Sequence, residues 1–456
     1  MQDNAENTNT PQEMKRVLAW WDLAGIGIGC MVGVGIFVLP GVEAAQHAGP
    51  AISLSFLLAA VVVSFTALAY AELSTMLPVS GSAYSYCRIT FGIFPGWLMG
   101  WALMLEYLVA TSMVAVGWSA YLVYLLADFG MALPPAFTTS TLGTGNGFAN
   151  LPAVVIVCAV LLVVVTGVRE SARLAMLLVL LKICAVAIFL VESVPHVSPA
   201  NWSPFMPFGF SGVLTATSVV FVAFGGFDAI STAAEEARNP QRDLPVGLIV
   251  SLGVVALAYI AVATAMTGVV PFKELDVADP MTVVLTAAKH PWVSRLVSAA
   301  ALIGMSSVLL AMLVAQPRIV FAMARDGLLP AGLAKIQARS GIPLYATLIS
   351  VALVIVMAAM LPIQIIAELC SMGFLLASVV VCLAVPILRH RSPELQRPFR
   401  MPWASVLAPF AVCCNLLLII MLPSATQVRF GLWMLLGSII YFFMQKRMKG
   451  STNEPE

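Results

Sequence analysis

GIGIGCMVGVGIF, which occupies Gly25–Phe37, places five glycines among thirteen residues of an apolar segment that is long enough to cross a bilayer. Each glycine weakens a helix interior by about 1 kcal/mol relative to alanine. A helix that unwinds inside a membrane exposes backbone N–H and C=O groups, which are costly in hydrocarbon unless a partner binds them. The segment is therefore predicted to be interrupted, with its unwound backbone around a cavity or a ligand.

Close helix packing is the alternative explanation for these glycines. Gly25 and Gly29, like Gly29 and Gly33, have the GxxxG spacing that lets two membrane helices approach closely. A dinucleotide-binding fingerprint is excluded, because Gly27, Gly29 and Gly33 are spaced GxGxxxG and follow no soluble strand. We assign the packing role to the first three glycines and the interruption to Gly33 and Gly35.

The composition of the whole chain is typical of a polytopic membrane protein. Of its 456 residues, 61% are hydrophobic and only 10% are charged, against about 25% charged in an ordinary soluble domain. The net charge is +1, and no basic tract is interleaved with aromatic residues, so nucleic acid is not an expected partner. Seven of the eight cysteines lie in apolar segments and no Cys/His cluster has the spacing of a metal site, so packing is their predicted role and no metal cofactor is expected.

Apolar stretches, divided by proline, glycine or charge, predict twelve membrane spans. These spans, numbered 1 to 12, are 20–44, 51–77, 94–127, 151–168, 172–193, 210–235, 246–270, 293–322, 344–361, 364–388, 404–422 and 430–446. With the N-terminus inside, eighteen of the 23 basic residues lie on the cytoplasmic side, Lys182 lies within a span, and the four outside are Lys273, Lys289, Arg295 and Arg429. A multi-pass protein of the cell membrane with both termini cytoplasmic is therefore expected.

A second interruption is predicted five spans later. Span 6 contains FVAFGGFDAISTAAEE (221–236), in which Gly225 and Gly226 break the helix. Because five is odd, a second five-helix repeat would enter the membrane from the opposite side, and glycine-interrupted spans at matching places in two such repeats indicate a transporter's midplane binding site. The predicted units are a tail at 1–19, a first repeat at 20–193, a second repeat at 210–388, peripheral helices at 404–446 and a tail at 447–456.

The ends of two interrupted helices suit a zwitterion. Free N–H groups at the start of a half-helix carry positive dipole and bind a carboxylate. Free carbonyls at the end of the other half-helix suit an ammonium group. Two such breaks facing each other would therefore hold a zwitterion with backbone groups alone.

Four sequence motifs carry a resemblance to a known family. GIGCMVGVGIFVLPG (27–41), PVSGSAYSY (78–86), GFDAISTAAEEARNPQRDLP (226–245) and RDGLLP (325–330) resemble the amino acid–polyamine–organocation superfamily. Within it, the chain is most similar to the cationic amino acid transporter family and its bacterial homologues, from about residue 15 to residue 447. The resemblance implies a LeuT-like fold, with a five-plus-five inverted repeat, discontinuous helices 1 and 6, and two peripheral C-terminal helices.

The resemblance also implies binding residues in span 1. The amides of Gly33, Val34 and Gly35 would bind the carboxylate of an amino acid substrate. The carbonyl of Met31 would accept a hydrogen bond from the substrate ammonium. Many relatives have serine or threonine between the two glycines, so Val34 removes a hydroxyl from the implied carboxylate site.

Span 6 supplies the other half of the implied site. The carbonyls of Val222, Ala223 and Gly225 would share the substrate ammonium. Phe224 would lie over the bound amino acid as an aromatic gate.

Lys182 lies about halfway along span 5. A lysine at the bilayer centre costs about 2.5–3.5 kcal/mol on insertion scales, so it is expected to face protein or water and to be functional. Burial disfavours the charged form of a lysine, and the resemblance places Lys182 where sodium-coupled members of the fold bind a cation. We predict that it carries the coupling proton. The alternative is a permanently charged strut between span 5 and the break in span 1.

Two carboxyl groups, Glu106 in span 3 and Asp228 in span 6, also lie deep in apolar runs. Each would either relay protons or sense a substrate cation, or else pair with a hydroxyl or a freed N–H group beside the breaks. At the inner end of span 6, Glu235 and Glu236 and the arginines that follow them predict an inner-gate salt-bridge cluster, with a solvated helix end as the alternative.

Met312 in span 8 is predicted to limit the size of the substrate side chain. The resemblance places it where cationic members of the family typically have a small residue, and a bulky apolar side chain would shorten the pocket. Methionine is flexible, so the limit would be soft, and ordinary helix packing is the alternative. Small neutral, alanine-like amino acids are therefore the expected substrates, with cationic amino acids as the second choice.

Proton-coupled uptake of small neutral L-amino acids by alternating access is the expected function, without a cofactor. An exchanger of amino acids or amines is the second hypothesis, and a non-transporting membrane sensor of amino acids is the third. An enzyme is not expected, because all four histidines lie near predicted helix ends or in loops, away from any candidate nucleophile. Membrane lipid surrounds the predicted spans. A dimer partner, a lipid and a small subunit are the alternative partners of spans 11 and 12, and the oligomeric state is left open.

Overall fold

A computed structural model describes residues 18–77, 82–143, 147–166, 172–228, 230, 237–337 and 342–451. In these ranges the regular structure is helical, apart from one isolated parallel bridge between Leu18 and Ala237. The α-helices are α1 Trp20–Met31, α2 Val34–Phe37, α3 Leu39–Glu43, α4 Ile52–Met76, α5 Ser82–Phe91, α6 Ile93–Asp128, α7 Leu151–Thr166, α8 Ala172–Ser193, α9 Gly209–Val220, α10 Pro240–Val269, α11 Pro280–Ala287, α12 Pro291–Arg325, α13 Leu344–Met360, α14 Ile363–Arg391, α15 Ala404–Met421 and α16 Ser424–Ser451.

The membrane character of the chain follows from helix length and apolar composition. The helical segments of the described chain that are long and apolar enough to cross a membrane are Leu39–Met76, Ile93–Asp128, Met176–His196, Pro240–Val269, Pro291–Arg325, Ile363–Arg391, Ala404–Met421 and Ser424–Met444. Three shorter apolar helices, Leu151–Thr166, Gly209–Phe224 and Leu344–Met360, coincide with predicted spans 4, 6 and 9. Large apolar side chains such as Leu257 and Phe443 are mostly exposed on the outer surface, as a lipid-facing surface requires. The all-helical, multi-pass class is thus confirmed, while twelve crossings stay a prediction.

Proline determines where several of these helices begin. Helices α10, α11 and α12 begin at Pro240, Pro280 and Pro291. At the first helical position the missing N–H group has no intrahelical acceptor in any case, and the fixed φ angle of proline suits a helix. Helices α10 and α12 begin a few residues before predicted spans 7 and 8, because apolar composition does not register these first turns.

The interrupted segments lie among the longest helices. Helix α6 packs against α12 and α14, and α10 packs against α1 and α4. The short α2 contacts α6, α10 and the 3-10 helix Phe221–Phe224. The two segments that the sequence predicts to be broken are therefore in contact with each other and enclosed by helices distant in sequence.

Hydrogen bonds and ion pairs join the connecting segments at two places, which we call the Arg88 face and the Leu142 face. On one of them, the Arg88 face, Arg88 of α5 forms an ion pair with Asp326, and the Tyr84 hydroxyl donates to the same carboxylate (2.7 Å). Burial and the hydrogen bond to Asp326 raise the pKa of Tyr84, so its hydroxyl keeps its proton and continues to donate at neutral pH. On the other, the Leu142 face, the amide of Leu142 donates to the carbonyl of Met360 (2.9 Å).

A buried carboxylate joins α4 to the end of α14. The Glu72 side chain is only 1% exposed. It accepts hydrogen bonds from Nε and Nη2 of Arg389 (2.8 and 2.6 Å) and from the amide of Met401 (2.7 Å). A buried charge is tolerable only with such complete pairing, and losing one partner leaves the other desolvated and unpaired.

Helix α16 is fixed to α6 by tryptophans. The Trp101 ring stacks on the rings of Trp97 and Trp433, with centroids 5.9 and 4.6 Å away. The indole N–H of Trp101 donates to the carbonyl of Trp433 (2.8 Å), and the indole N–H of Trp433 donates to the carbonyl of Trp101 (3.0 Å). Buried indoles usually require such acceptors, so the last helix has a specific docking position on α6.

Candidate functional site

The first interruption separates α1, which ends at Met31, from α2, which begins at Val34. The first hydrogen bond of α2 runs from the amide of Ile36 to the carbonyl of Gly33 (3.0 Å). The amides of Gly33, Val34 and Gly35 precede this bond and have no acceptor within the helix. Three consecutive N–H groups are therefore available at the start of a half-helix, where the dipole is positive.

The second interruption follows α9, which ends at Val220. A 3-10 helix, Phe221–Phe224, continues the chain and is closed by a hydrogen bond from the amide of Gly225 to the carbonyl of Val222 (2.7 Å). The next residue, Gly226, has a φ angle of +105°, which glycine adopts far more readily than any other residue. The break in span 6 therefore depends on both glycines, one at the turn and one at the positive φ angle.

The two interruptions are in direct contact. A Cβ atom on Gly35 would lie 2.8 Å from the Cβ and 2.9 Å from the Cα of Ala223. A Cβ atom on Gly226 would lie 2.7 Å from the Cβ of Cys30. These distances are shorter than real Cβ contacts, so a side chain at either glycine would force the two breaks apart.

The earlier glycines of the opening segment also pack closely. A Cβ atom on Gly27 would lie 2.5 Å from the side chain of Ile230, and one on Gly29 would lie 2.5 Å from the side chain of Val179. Close approach of neighbouring helices, the alternative role, therefore applies to this part of the segment. Gly35 combines both roles, because it lies at the break and at a close contact.

Tyr259 of α10 joins the two breaks. Its hydroxyl oxygen lies within hydrogen-bond distance of the carbonyl oxygens of Met31 (2.8 Å) and Ala223 (2.6 Å), which share its single proton, and the side chain is completely buried. Its ring lies edge-on to that of Phe224, with the centroids 5.2 Å apart. The sequence interpretation missed Tyr259, although a tyrosine within an apolar span is itself a signal, because a buried hydroxyl requires a hydrogen-bond partner.

Three other residues of the implied site have defined neighbours. The Val34 side chain is buried. A Cβ atom on Gly117 of α6 would lie 2.9 Å from it, so Val34 packs closely against span 3. The Phe224 side chain is fully buried. The amide of Val222 donates to the hydroxyl of Ser371 on α14 (3.3 Å), which holds the unwound part of span 6 against span 10.

Lys182 is buried and reaches the end of α1. Its Nζ atom donates to the carbonyl of Gly29 (3.0 Å). Its aliphatic stem lies against Gly304 of α12, where a Cβ atom would be 2.9 Å from the Lys182 Cγ. The side chain therefore joins span 5 to the last turn before the first break, a contact that the strut hypothesis predicts and that is also compatible with a proton carrier.

Glu106 and Asp228 lie near each other. The Oε2 atom of Glu106 is buried and has no hydrogen-bond partner among the described residues, and its side chain packs on Gly373 of α14. Glu106 and Asp228 are within electrostatic range of each other. The Cys30 thiol, beside the first break, is within range of both Asp228 and Lys182. The structure thus brings the three predicted coupling residues to one region around the breaks.

Met312 of α12 is half-buried and lies one helical turn from Val308. A Cβ atom on Gly33 would lie 3.5 Å from the Val308 side chain, so Val308 contacts the first break. Met312 therefore lies about one helical turn of α12 away from that contact. Glu235 and Glu236, assigned to an inner gate, lie outside the described residues.

Fold and site together define an all-helical, multi-pass membrane protein in which two interrupted helices meet beside buried charges. A family model described as amino acid permease matches residues 18–444. The chain belongs to the amino acid permease family, within the amino acid–polyamine–organocation superfamily. The resemblance carried by the sequence motifs is therefore confirmed.

Relatives of this chain carry transporter names. The chain is 41% identical over 450 residues to the branched-chain amino acid permease BcaP of Bacillus subtilis (strain 168). The aligned region covers 98% of this chain and 97% of that protein. It is 40% identical over 436 residues to the methylthioribose transporter of the same organism, with 96% and 95% covered. Identity to cationic amino acid transporter 1 of Arabidopsis thaliana is 33% over 389 residues, covering 85% of this chain and 65% of that protein. These names indicate a transporter and not an enzyme.

Proposed function

We propose that this chain is a secondary active transporter that takes up a neutral L-amino acid together with a proton by alternating access. The observation that carries the proposal is the contact between the two interrupted helices, Gly35 against Ala223. At this contact, amide donors at the start of α2 lie near the carbonyls of Met31 and Ala223. This arrangement supplies donors for a carboxylate and acceptors for an ammonium group.

The proposal includes the membrane arrangement. The chain would cross the cell membrane twelve times in a LeuT-like inverted repeat, with both termini cytoplasmic. This arrangement would put eighteen of 23 basic residues on the cytoplasmic side. The contact of the first and sixth spans supports this repeat, because the two broken helices of an inverted repeat meet at its pseudo-symmetry axis.

The ammonium group would be bound by backbone carbonyls. Those of Met31 and Ala223 already accept from the Tyr259 hydroxyl, and that of Val222 accepts from an amide. Each carbonyl oxygen has two lone pairs, so these groups can also accept a hydrogen bond from an ammonium N–H. The carbonyl of Gly225 completes the proposed set.

The substrate side chain would be neutral and of limited size. Met312, one turn from the first break, would restrict the space beyond the backbone groups, with Phe224 covering the bound amino acid. The relatives named for branched-chain amino acids support an aliphatic substrate. We therefore propose small neutral side chains, with branched aliphatic chains as the upper limit that a flexible methionine permits.

A cationic amino acid is the second candidate, and one observation favours it. The buried Oε2 atom of Glu106 has no hydrogen-bond partner in the described part of the chain and lies within electrostatic range of Asp228. A guanidinium or ammonium head group would relieve this pairing deficit. Relatives named as cationic amino acid transporters belong to the same family.

Uptake by purified protein in proteoliposomes tests the central proposal. With a panel of labelled amino acids and an inward proton gradient, neutral aliphatic amino acids should accumulate and collapse of the gradient should stop accumulation. Trans-stimulation without pH dependence would instead indicate an exchanger. If no amino acid were accumulated or exchanged, the proposal would be wrong.

Lys182→Arg separates the two roles of Lys182. Arginine keeps a charged donor for the carbonyl of Gly29, but it does not release its proton in proteins. If Lys182 carries the proton, Lys182→Arg and Lys182→Met should both lose gradient-driven uptake. A strut predicts that Lys182→Arg retains it while Lys182→Met does not.

Met312→Ser tests the size limit, with Met312→Leu as the control of similar volume. Serine should extend uptake toward larger or cationic amino acids, whereas leucine should leave the substrate range unchanged. An unchanged range in Met312→Ser would remove the argument from this position.

A further inference from the structure

A separate pocket of about 460 Å³ lies between α6, α14 and α16, on the Leu142 face of the bundle. Five aliphatic side chains line it: Leu105, Leu142, Leu361, Ile365 and Leu369. The remaining lining residues are Arg429 and Trp433 of α16. The volume lies within the range of about 300–1,000 Å³ that is typical of small-molecule sites.

The cation at this pocket, Arg429, has no partner among the residues that the structure describes. The Arg429 side chain is exposed, and it makes no hydrogen bond or ion pair within the described part of the chain. Arg295, which the sequence places on the same side, is by contrast paired with Asp128. The guanidinium of Arg429 therefore has free donors next to an apolar cavity.

Arg429 lies near the start of the last membrane-spanning helix. Helix α16 begins at Ser424, so Arg429 lies about 7.5 Å along the helix axis from that end. It directly precedes predicted span 12 (430–446), so it is expected at the polar edge of the bilayer, and Trp433 lies one turn further along the same helix face. Only 11% of the most apolar part of α16 is buried within the protein, so this helix borders the lipid.

The part of the cavity lining that α6 and α14 contribute is aliphatic. Leu105 and Leu369 precede Glu106 and Cys370, whose thiol contacts the Glu106 carbonyl at 3.6 Å. On α14, the carboxylate of Glu368 is not part of the lining and accepts from the Thr426 hydroxyl. The wall of the cavity is thus apolar below a single cation.

The lining of the cavity suits a lipid. An acyl chain needs no hydrogen bonds and can lie among aliphatic side chains, and a phosphate beside the guanidinium would supply acceptors for its free donors.

We propose that this pocket binds one anionic phospholipid, with its phosphate and anionic head group at Arg429 and one acyl chain among the five aliphatic residues. The lipid would fill the space between α14 and the α6–α16 pair, which are joined through Trp101 and Trp433. The site lies outside the contact between the two interrupted helices.

Native mass spectrometry of protein released from nanodiscs with equal phosphatidylglycerol and phosphatidylcholine tests the proposal. The wild-type protein should retain one phosphatidylglycerol with a preference of about fivefold over phosphatidylcholine. Arg429→Gln should lose the preference and Arg429→Lys should keep it. Lys273→Gln, which removes another exposed cation that does not line the pocket, should also keep it.

Other outcomes would overturn the proposal. Equal retention of the two lipids by the wild-type protein, retention of phosphatidylglycerol by Arg429→Gln, or release of the protein without lipid would each contradict it. A dimer that survives release and excludes lipid would assign the surface to a second copy. Thermal midpoints in lipid-free detergent should agree between wild type and Arg429→Gln, which excludes misfolding as the cause.

Discussion

Gly35→Ala tests whether the two interrupted helices touch as closely as the structure has them. Alanine should favour the helical conformation of α2 by about 1 kcal/mol. Its Cβ would, however, lie 2.8 Å from the Cβ and 2.9 Å from the Cα of Ala223, and 2.8 Å from the Tyr259 hydroxyl. Overpacking of this kind costs about 1–3 kcal/mol, and a backbone atom cannot move aside as a flexible side chain can. The steric cost should therefore equal or exceed the gain in helix propensity.

Gly253→Ala is the matched control. Gly253 lies within α10, and a Cβ atom there would meet nothing within 4 Å. The control should therefore gain up to about 1 kcal/mol of stability from helix propensity alone. The free energies of unfolding of the two variants should differ by about 1–3 kcal/mol, with Gly35→Ala the less stable.

Two measurements check the pair. Thermal unfolding, followed by the labelling of buried cysteine thiols, should give a higher midpoint for Gly253→Ala than for Gly35→Ala. Amino acid uptake should fall about tenfold or more in Gly35→Ala, because forcing the breaks apart displaces the amides proposed to bind the carboxylate, while Gly253→Ala should transport normally. Equal midpoints and equal uptake in the two variants would refute the close contact.

Three further substitutions test other contacts. Tyr259→Phe should lower the free energy of unfolding by about 1–3 kcal/mol, because two buried carbonyls lose their donor, and no change relative to the exposed control Tyr345→Phe would contradict that role. Glu72→Gln should lower the free energy of unfolding by about 1–2 kcal/mol, a value reduced because its arginine partner is partly exposed. Its thermal midpoint should therefore lie below that of the exposed control Glu394→Gln. Trp433→Phe should cost about 1 kcal/mol through loss of one indole hydrogen bond, and proteolysis of the C-terminal helix should become faster; unchanged proteolysis would argue against specific docking.

The positions of both interruptions were predictable from local sequence. Glycine is a poor helix former, and the breaks observed at Gly33 and at Gly225–Gly226 lie within the two predicted segments. The buried charges were also predictable, because Lys182 and Glu106 stand out within apolar runs. What these residues contact was not predictable to the same degree.

Tyr259 shows where local reasoning stops. Its two acceptors lie 228 and 36 positions away in the chain, so no sequence window contains the three groups. The need of a buried hydroxyl for a partner can be read from the sequence, but the identity of the partner depends on how α10 packs against both breaks. Val34 is a similar case, since the sequence identified a missing hydroxyl and the packing against Gly117 appears only in three dimensions.

The sequence by itself determined the membrane class, the approximate spans, the two weak points in their helices and the family. Each of these depends on hydropathy, helix propensity or motif order along the chain, which are properties of neighbouring residues. The tertiary structure alone decided that the two breaks touch, that Tyr259 joins them, that Lys182 reaches the carbonyl of Gly29, and that Arg429 lies beside an apolar pocket. These contacts join segments far apart in sequence, and their geometry follows from helix packing, which apolar composition drives but does not specify.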